Sequence, residues 1–264
     1  MTTSFTYGGT ALTSFGKVTN ADPYLDQAER VGDDIKIPLD DGKIFTKKYS
    51  DSRSISIGMV INAATAAALE TSIDNLRKLL APRAEQTLAM TMEDASVRNI
   101  SATVNKGLQV NRLSPTIARV VIQFDCAYPF WRSNTLYEVT SDAIDGTPTP
   151  QTLTVVNGGA AQERNPTFLL TGPLRNIVFS CTVDGVLHTL TYTGTIAAGA
   201  TVTIGKTNKE YYATHSVSGS VIGNVSHSPV SELMVFAVGN NACTIADADY
   251  GGGTCKVSFY PPFA

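Results

Sequence analysis

The residues able to do chemistry in this chain are few and scattered. Its three histidines, His188, His215 and His227, all fall in the second half. His215 and His227 could meet in space, yet neither has a Cys, His or Asp at the short spacing that zinc sites use, so surface or strand-face positions are expected for them. The carboxylate pairs Asp33-Asp34, Asp40-Asp41 and Asp247/Asp249 invite a calcium or glycosidase reading. Asp247-Ala-Asp249 does run into glycines, but a calcium loop closes with a bidentate Glu that this one lacks. Glycoside hydrolysis needs two carboxylates facing each other across a groove, and no such pair can be named. Gly158-Gly159 and Gly251-Gly252-Gly253 share only their glycine content with phosphate loops; each is expected as a hairpin turn between strands, with no helix behind it and no Lys-Ser/Thr following. The expectation is a chain that is not an enzyme and holds neither cofactor nor metal.

Cys126, Cys181, Cys243 and Cys255 are too scattered for a disulfide framework and include no CxxC, so they are read as reduced. Cys243 and Cys255 flank an expected last hairpin and could face each other across it, a pairing left open for oxidising surroundings. Tyr211, Tyr212 and Phe236 could form a platform for stacking a sugar, although such residues in a β-sandwich usually fill the core.

The elements that must position these residues are mostly strands. Of 264 residues, 43% are hydrophobic and only 16% charged, and 21 Gly and 12 Pro accompany 32 Thr and 20 Ser, the vocabulary of strands and turns. The net charge of −3 argues against a clustered basic grip on nucleic acid. No stretch approaches the roughly 20 apolar residues of a membrane span, and the opening MTTSFTYGGT has no signal-peptide pattern, so a soluble chain without a secretory address is expected.

Charged positions fall from 29 in residues 1–132 to 14 in residues 133–264. We expect an N-terminal domain over 1–140, a Gly/Pro/Thr-rich connector at 141–150 and a second domain over 151–264. In the first, Arg53–Ile61 alternates as a half-buried strand, with Ile55, Ile57 and Met59 on one side. Then the period changes. Leu69, Ile73, Leu76 and Leu80 draw an apolar stripe, which predicts a helix over about 63–81, capped by Asn62 and stopped by Pro82. Strands are expected at Val97–Val104, Leu108–Asn111 and Thr116–Cys126. The second half reads as eight or nine short strands, including Thr167–Thr171, Ser231–Val238 and a hairpin with a type I′ turn at Asp184-Gly185, which fits a jelly roll or sandwich.

The segment Val120-Val-Ile-Gln-Phe-Asp-Cys-Ala-Tyr-Pro-Phe-Trp-Arg-Ser133 resembles the end of the N-terminal domain in distal tail (Dit) proteins of long-tailed, siphovirus-type bacteriophages. Ser4-Phe-Thr-Tyr-Gly-Gly9, Asp51-Ser-Arg-Ser-Ile-Ser-Ile57, the helix ending in Leu79-Leu-Ala-Pro82, Val156-Asn-Gly-Gly159, Asn165-Pro-Thr-Phe168 and Val257-Ser-Phe-Tyr-Pro-Pro-Phe263 extend the likeness over essentially the whole chain.

The resemblance implies a mostly β, two-domain protein: an N-terminal β-sandwich with one α-helix, then a C-terminal galectin-like or jelly-roll β-sandwich. It implies a virion structural protein at the distal end of the phage tail, assembled in the bacterial host cytoplasm. Its N-terminal domains would form a homohexameric ring joining the tail tube protein to the tail-tip or baseplate hub protein. DNA would be present only in transit, receptor-binding proteins would attach outside, and no membrane insertion is implied. Pro129, Phe130 and Trp131 are expected as structural anchors sealing the first domain. Subunit contacts are expected from the strand edge around Arg53–Met59, the helix Ala63–Ala81 and loops 39–52 and 105–115. The competing reading is a lectin-like host-adsorption protein, although the sole tryptophan, Trp131, lies outside the second half.

Overall fold

The computed structural model describes residues 4–22, 30–31, 35–36, 43–44, 49–50, 52–82, 84–144, 150–207, 210–229, 232–247 and 251–263. The carboxylates Asp33, Asp34, Asp40, Asp41 and Asp249 lie outside them, as does much of the expected loop 39–52. Among the described residues the fold is mostly β, with one α-helix and antiparallel sheets. The chain divides into two compact units, residues 1–134 and 135–263.

In the first unit the main strands are β1 (Ser4–Tyr7), β2 (Lys17–Asp22), β3 (Arg53–Asn62), β4 (Gln86–Thr91), β5 (Val97–Arg112), β6 (Ile117–Cys126) and β7 (Trp131–Ser133). Their order is β1-β4-β5-β6-β3-β2, with Thr10–Ala11 beyond β1 and β7 beside β5. β5 is the hinge of this arrangement: Val97–Ala102 pair with β4, and Thr103–Arg112 pair with β6 through two register shifts. The two strands expected at Val97–Val104 and Leu108–Asn111 are therefore one, and 105–115 is mostly strand, where a loop was expected. Within the polar stretch Asn105-Lys-Gly107, Lys106 pairs with Gln123 of β6 between the two register shifts, which keeps the stretch in the strand.

Period-2 alternation turns one face of β3 and β6 inward, burying Ile55, Ile57, Met59, Ile61, Val120, Ile122 and Phe124. Helix α1 (Ala66–Leu80) lies against β3 and β5 and buries the stripe its spacing draws: Leu69, Ile73, Leu76 and Leu80. Asn62 is not its cap, because the ladder with Ile117 holds Asn62 in β3. Thr65 takes that role, its Oγ1 accepting from the Ala68 amide at 3.2 Å.

The second unit contains β8 (Tyr137–Thr140), β9 (Gln151–Asn157), β10 (Thr167–Thr171), β11 (Leu174–Val183), β12 (Val186–Ile196), β13 (Thr201–Lys206), β14 (Tyr211–His215), β15 (Val225–Ser228), β16 (Gly239–Ala246) and β17 (Thr254–Phe259). One sheet runs β8-β17-β10-β13-β14, with Gly219–Ser220 at its end; the other runs β9-β16-β11-β12-β15. Both sheets supply a single core. A relay of rings links them: Phe168 meets Phe179 at 5.0 Å, Phe179 meets Phe236 at 6.3 Å, and Phe236 stacks on Phe259 at 5.7 Å. The type I′ turn is present, with φ of 52° at Asp184 and 77° at Gly185.

Two expectations about this half change. The connector expected at 141–150 is not free at its start: β8 pairs with β17, and the Ser141 and Ile144 amides donate to Cys255 and Gly253 carbonyls at 2.9 and 2.8 Å. The composition shift marks the boundary, but Gly/Pro content placed it some ten residues late. The run Leu233–Phe236 is buried as expected of core residues, yet it is not a strand; its link to the fold is a bridge between Phe236 and Glu163.

Candidate assembly surfaces

The three histidines and Asp247 each have a structural occupation. His215 Nδ1 accepts from the Val217 and Ser218 amides at 3.1 and 3.3 Å, closing its own turn. His227 lies 5.0 Å from the Tyr211 ring, on β15 of the other sheet, and its Nδ1 is 3.2 Å from the Pro229 carbonyl. His188 is buried on β12, opposite Cys181. Asp247 is buried and its two oxygens accept from the Arg175 amide. Among the described residues no group of three His, Cys, Asp or Glu converges as metal ligands would.

The glycine runs are not hairpin turns. Gly158-Gly159 follows β9, where Asn157 Oδ1 accepts from the Gly159 amide at 3.0 Å. Gly253 lies between β16 and β17, which belong to different sheets; a Cβ there would come within 2.3 Å of the Thr171 carbonyl oxygen. Cys243 and Cys255 consequently do not face across a hairpin, and all four thiols are free and buried. The aromatic platform is not assembled either. Phe236 is wholly buried, Tyr212 packs over Gly205, and the Tyr211 ring is taken up by His227 and by the Lys206 ammonium 4.9 Å from its centre.

Pro129 and Trp131 are buried and Phe130 is half-buried. β7, which begins at Trp131, pairs Arg132 and Ser133 with Asn99 and Arg98 of β5. The Asn134 amide then donates to Val97 at 3.0 Å, so the motif is tied to the sheet at the last residues of the first unit. Tyr128 meets Phe130 edge-on at 5.5 Å, and the Arg132 guanidinium lies 4.7 Å over the Tyr128 ring.

What remains exposed is strand edge and hairpin. β3 is not an edge, since β6 and β2 flank it; the Arg53–Met59 edge expected to make subunit contacts is interior. β2 is the terminal strand of that sheet among the described residues. The β5–β6 hairpin carries an exposed arm over residues 105–116, with Leu113 60% exposed at its tip. An ion pair between Arg112 and Glu70 ties the arm to α1.

The first unit is where the chain meets known proteins. Residues 9–126 match the model of the phage tail protein RIFT-related domain. The match covers most of the first unit. The whole chain also has the fold of the phage SPP1 Dit protein, whose structure is described as a paradigm of hub adsorption apparatus in phages infecting Gram-positive bacteria. The TM-score is 0.71 over 100% of both chains, at 14% identity. A chain of the phage p2 baseplate in its activated conformation superposes at a TM-score of 0.49 and 7% identity over 98% of both. No curated protein matches the sequence closely enough to count as a relative. The resemblance to distal tail proteins read from the Pro129-Phe-Trp131 segment and its companions is thus borne out.

Proposed function

We propose that this chain is a tail-tip hub protein that forms a hexameric ring at the distal end of a phage tail. One face of the ring would bind the tail tube protein and the other the tail-tip or baseplate hub, with DNA passing through the centre. The observation that carries this reading is the phage tail domain at residues 9–126 within a chain that has the Dit fold end to end. The physical chemistry agrees. A heterologous interface closes into a ring when its rotation permits, and the β2 edge and the arm at 105–116 are the surfaces for it. A net charge of −3 suits a channel that must release DNA, because a strongly basic lining would hold the phosphate backbone.

Within this reading Pro129, Phe130 and Trp131 anchor the end of the ring-forming unit. Receptor-binding proteins would attach to the second unit. Subunits would be made and assembled in the host cytoplasm. Light scattering of the purified protein over a concentration series, with negative-stain images of the same sample, tests the proposal. Six-fold rings with a central hole are expected. A strict monomer at every concentration, alone and mixed with the tail tube protein of the same phage, would overturn it.

A further inference from the structure

Cys243 sits on β16 of the five-stranded sheet and Cys255 on β17 of the other, so the partner of Cys243 is set by the ladder, and that partner is Cys181. The two are directly opposed on antiparallel strands, β11 and β16, and both point into the core, Cys181 2% and Cys243 0% exposed. Directly opposed residues in an antiparallel pair have Cα atoms about 4.5–5.5 Å apart, inside the window of about 4.4–6.8 Å that a disulfide requires. Every directly opposed pair meets this condition; among the described pairings this one has cysteine at both positions, and no sequence spacing announces it.

The Cys243 thiol donates to the Asn241 carbonyl at 3.6 Å. Hydrogen bonding between the two thiols holds Cys181 below its ordinary value and, with burial, pushes Cys243 up. Cys181 is therefore the sulfur that more readily sheds its proton, the condition for a nucleophile. The flanking pair, Ser180 and Thr244, joins the same two strands by a hydroxyl hydrogen bond of 2.6 Å, which holds the register beside the thiols. Cys255, by contrast, is wholly buried on the facing sheet and its thiol is pushed up to about 12 by burial.

We infer that Cys181 and Cys243 are an oxidation site, a latent cross-strand disulfide that a peroxide closes to staple β11 to β16. The sulfur of Cys181, as thiolate, attacks one oxygen of hydrogen peroxide; the O–O bond breaks, hydroxide leaves and takes up a proton as water, and Cys181 becomes a sulfenic acid. The sulfur of Cys243 then attacks that sulfur. The S–S bond forms, the S–O bond breaks, and hydroxide departs with the Cys243 proton as a second water. Two thiols lose two electrons and peroxide gains them. Peroxide is close to water in size, which suits a pair without an open channel. The inference stands apart from the assembly proposed above and depends only on the register of β11 and β16.

The test uses the full chain, treated with hydrogen peroxide while folded, quenched, then unfolded and labelled with N-ethylmaleimide for intact mass and peptide mapping. The untreated chain takes four adducts, one for each free thiol. We expect the oxidised chain to take two, to have lost two hydrogens, to yield one cross-linked peptide pair joining Cys181 to Cys243, and to return to four adducts after dithiothreitol. Cys255→Ala should leave the bond intact, whereas Cys181→Ala should abolish it. The oxidised protein should melt several degrees higher than the reduced, because the bond closes a loop of roughly 60 residues. Four adducts after peroxide from a chain whose circular dichroism is unchanged would overturn the inference. So would a cross-link between Cys243 and Cys255, or sulfinic acid at Cys181 without any bond.

Discussion

Trp131 is 1% exposed at the head of β7, two residues before the ladder with β5 ends. Replacing so large a buried ring by a methyl leaves a cavity as well as losing the transfer free energy of the ring. Trp131→Ala is expected to cost about 3–5 kcal/mol, read as a lowered urea midpoint at unchanged slope. Phe130, half-buried beside Tyr128, should cost clearly less when cut to alanine. A reversed order would mean that the motif is held by Phe130. Burial also sets a pH window. It pushes the Cys126 and Cys255 thiols up to about 12 from an ordinary value of 9.0. Between these values the unfolded chain gives up protons that the folded chain keeps, so the stabilisation from the two protonated thiols is full below pH 9 and is lost as pH rises. Comparing urea midpoints at pH 8 and pH 10 for the parent and for Cys255→Ala should show the steeper fall in the parent. Equal slopes would show that Cys255 ionises as readily in the fold as outside it.

At the scale of elements, what could be read in advance depended on whether the cause was local. The stripe Leu69, Ile73, Leu76 and Leu80 is a property of one helix, and all four residues are buried. Asn is a good capping residue, which points to Asn62 as the cap, but a ladder partner 55 residues away, Ile117, holds Asn62 as strand. The cap that forms is Thr65, and Thr65→Ala should destabilise the first unit by about 1 kcal/mol, while Thr65→Ser, which keeps the oxygen, should lie within a few tenths of the parent in thermal unfolding. A hairpin turn is likewise local, and Asp184-Gly185 announced itself. Pairings between sheets are not. Cys243 and Cys255 bracket glycines as the arms of a hairpin would, and only the topology shows that β16 and β17 belong to different sheets. The same limit applies to the surfaces for assembly: Arg53–Met59 carries the alternation of a strand, and nothing within it tells whether one neighbour or two will flank it.

For the whole molecule, charge density and compactness divide the chain at nearly the same place. Charged positions thin out near residue 133, and the two compact units meet at Asn134–Thr135. The linker-like composition of 141–150 drew the expected boundary later, because Ser141 and Ile144 take backbone partners that lie more than a hundred residues downstream. The match to the phage tail protein RIFT-related domain ends at residue 126, inside the first unit, while the likeness to the SPP1 Dit fold runs through both. If the ring is built by the first unit, the two activities should separate on cutting at the observed boundary. Residues 1–134 are then expected to associate in light scattering and residues 135–263 to remain monomeric, with both fragments retaining β-rich circular dichroism. Leu113→Asp, at the exposed tip of the arm, should weaken association of the full chain without lowering its melting temperature, since a side chain 60% exposed contributes little to the fold of its own subunit. Rings formed by residues 135–263 alone, or a Leu113→Asp chain that associates as the parent does, would move the interface away from the first unit's hairpin and into the sandwich that follows it.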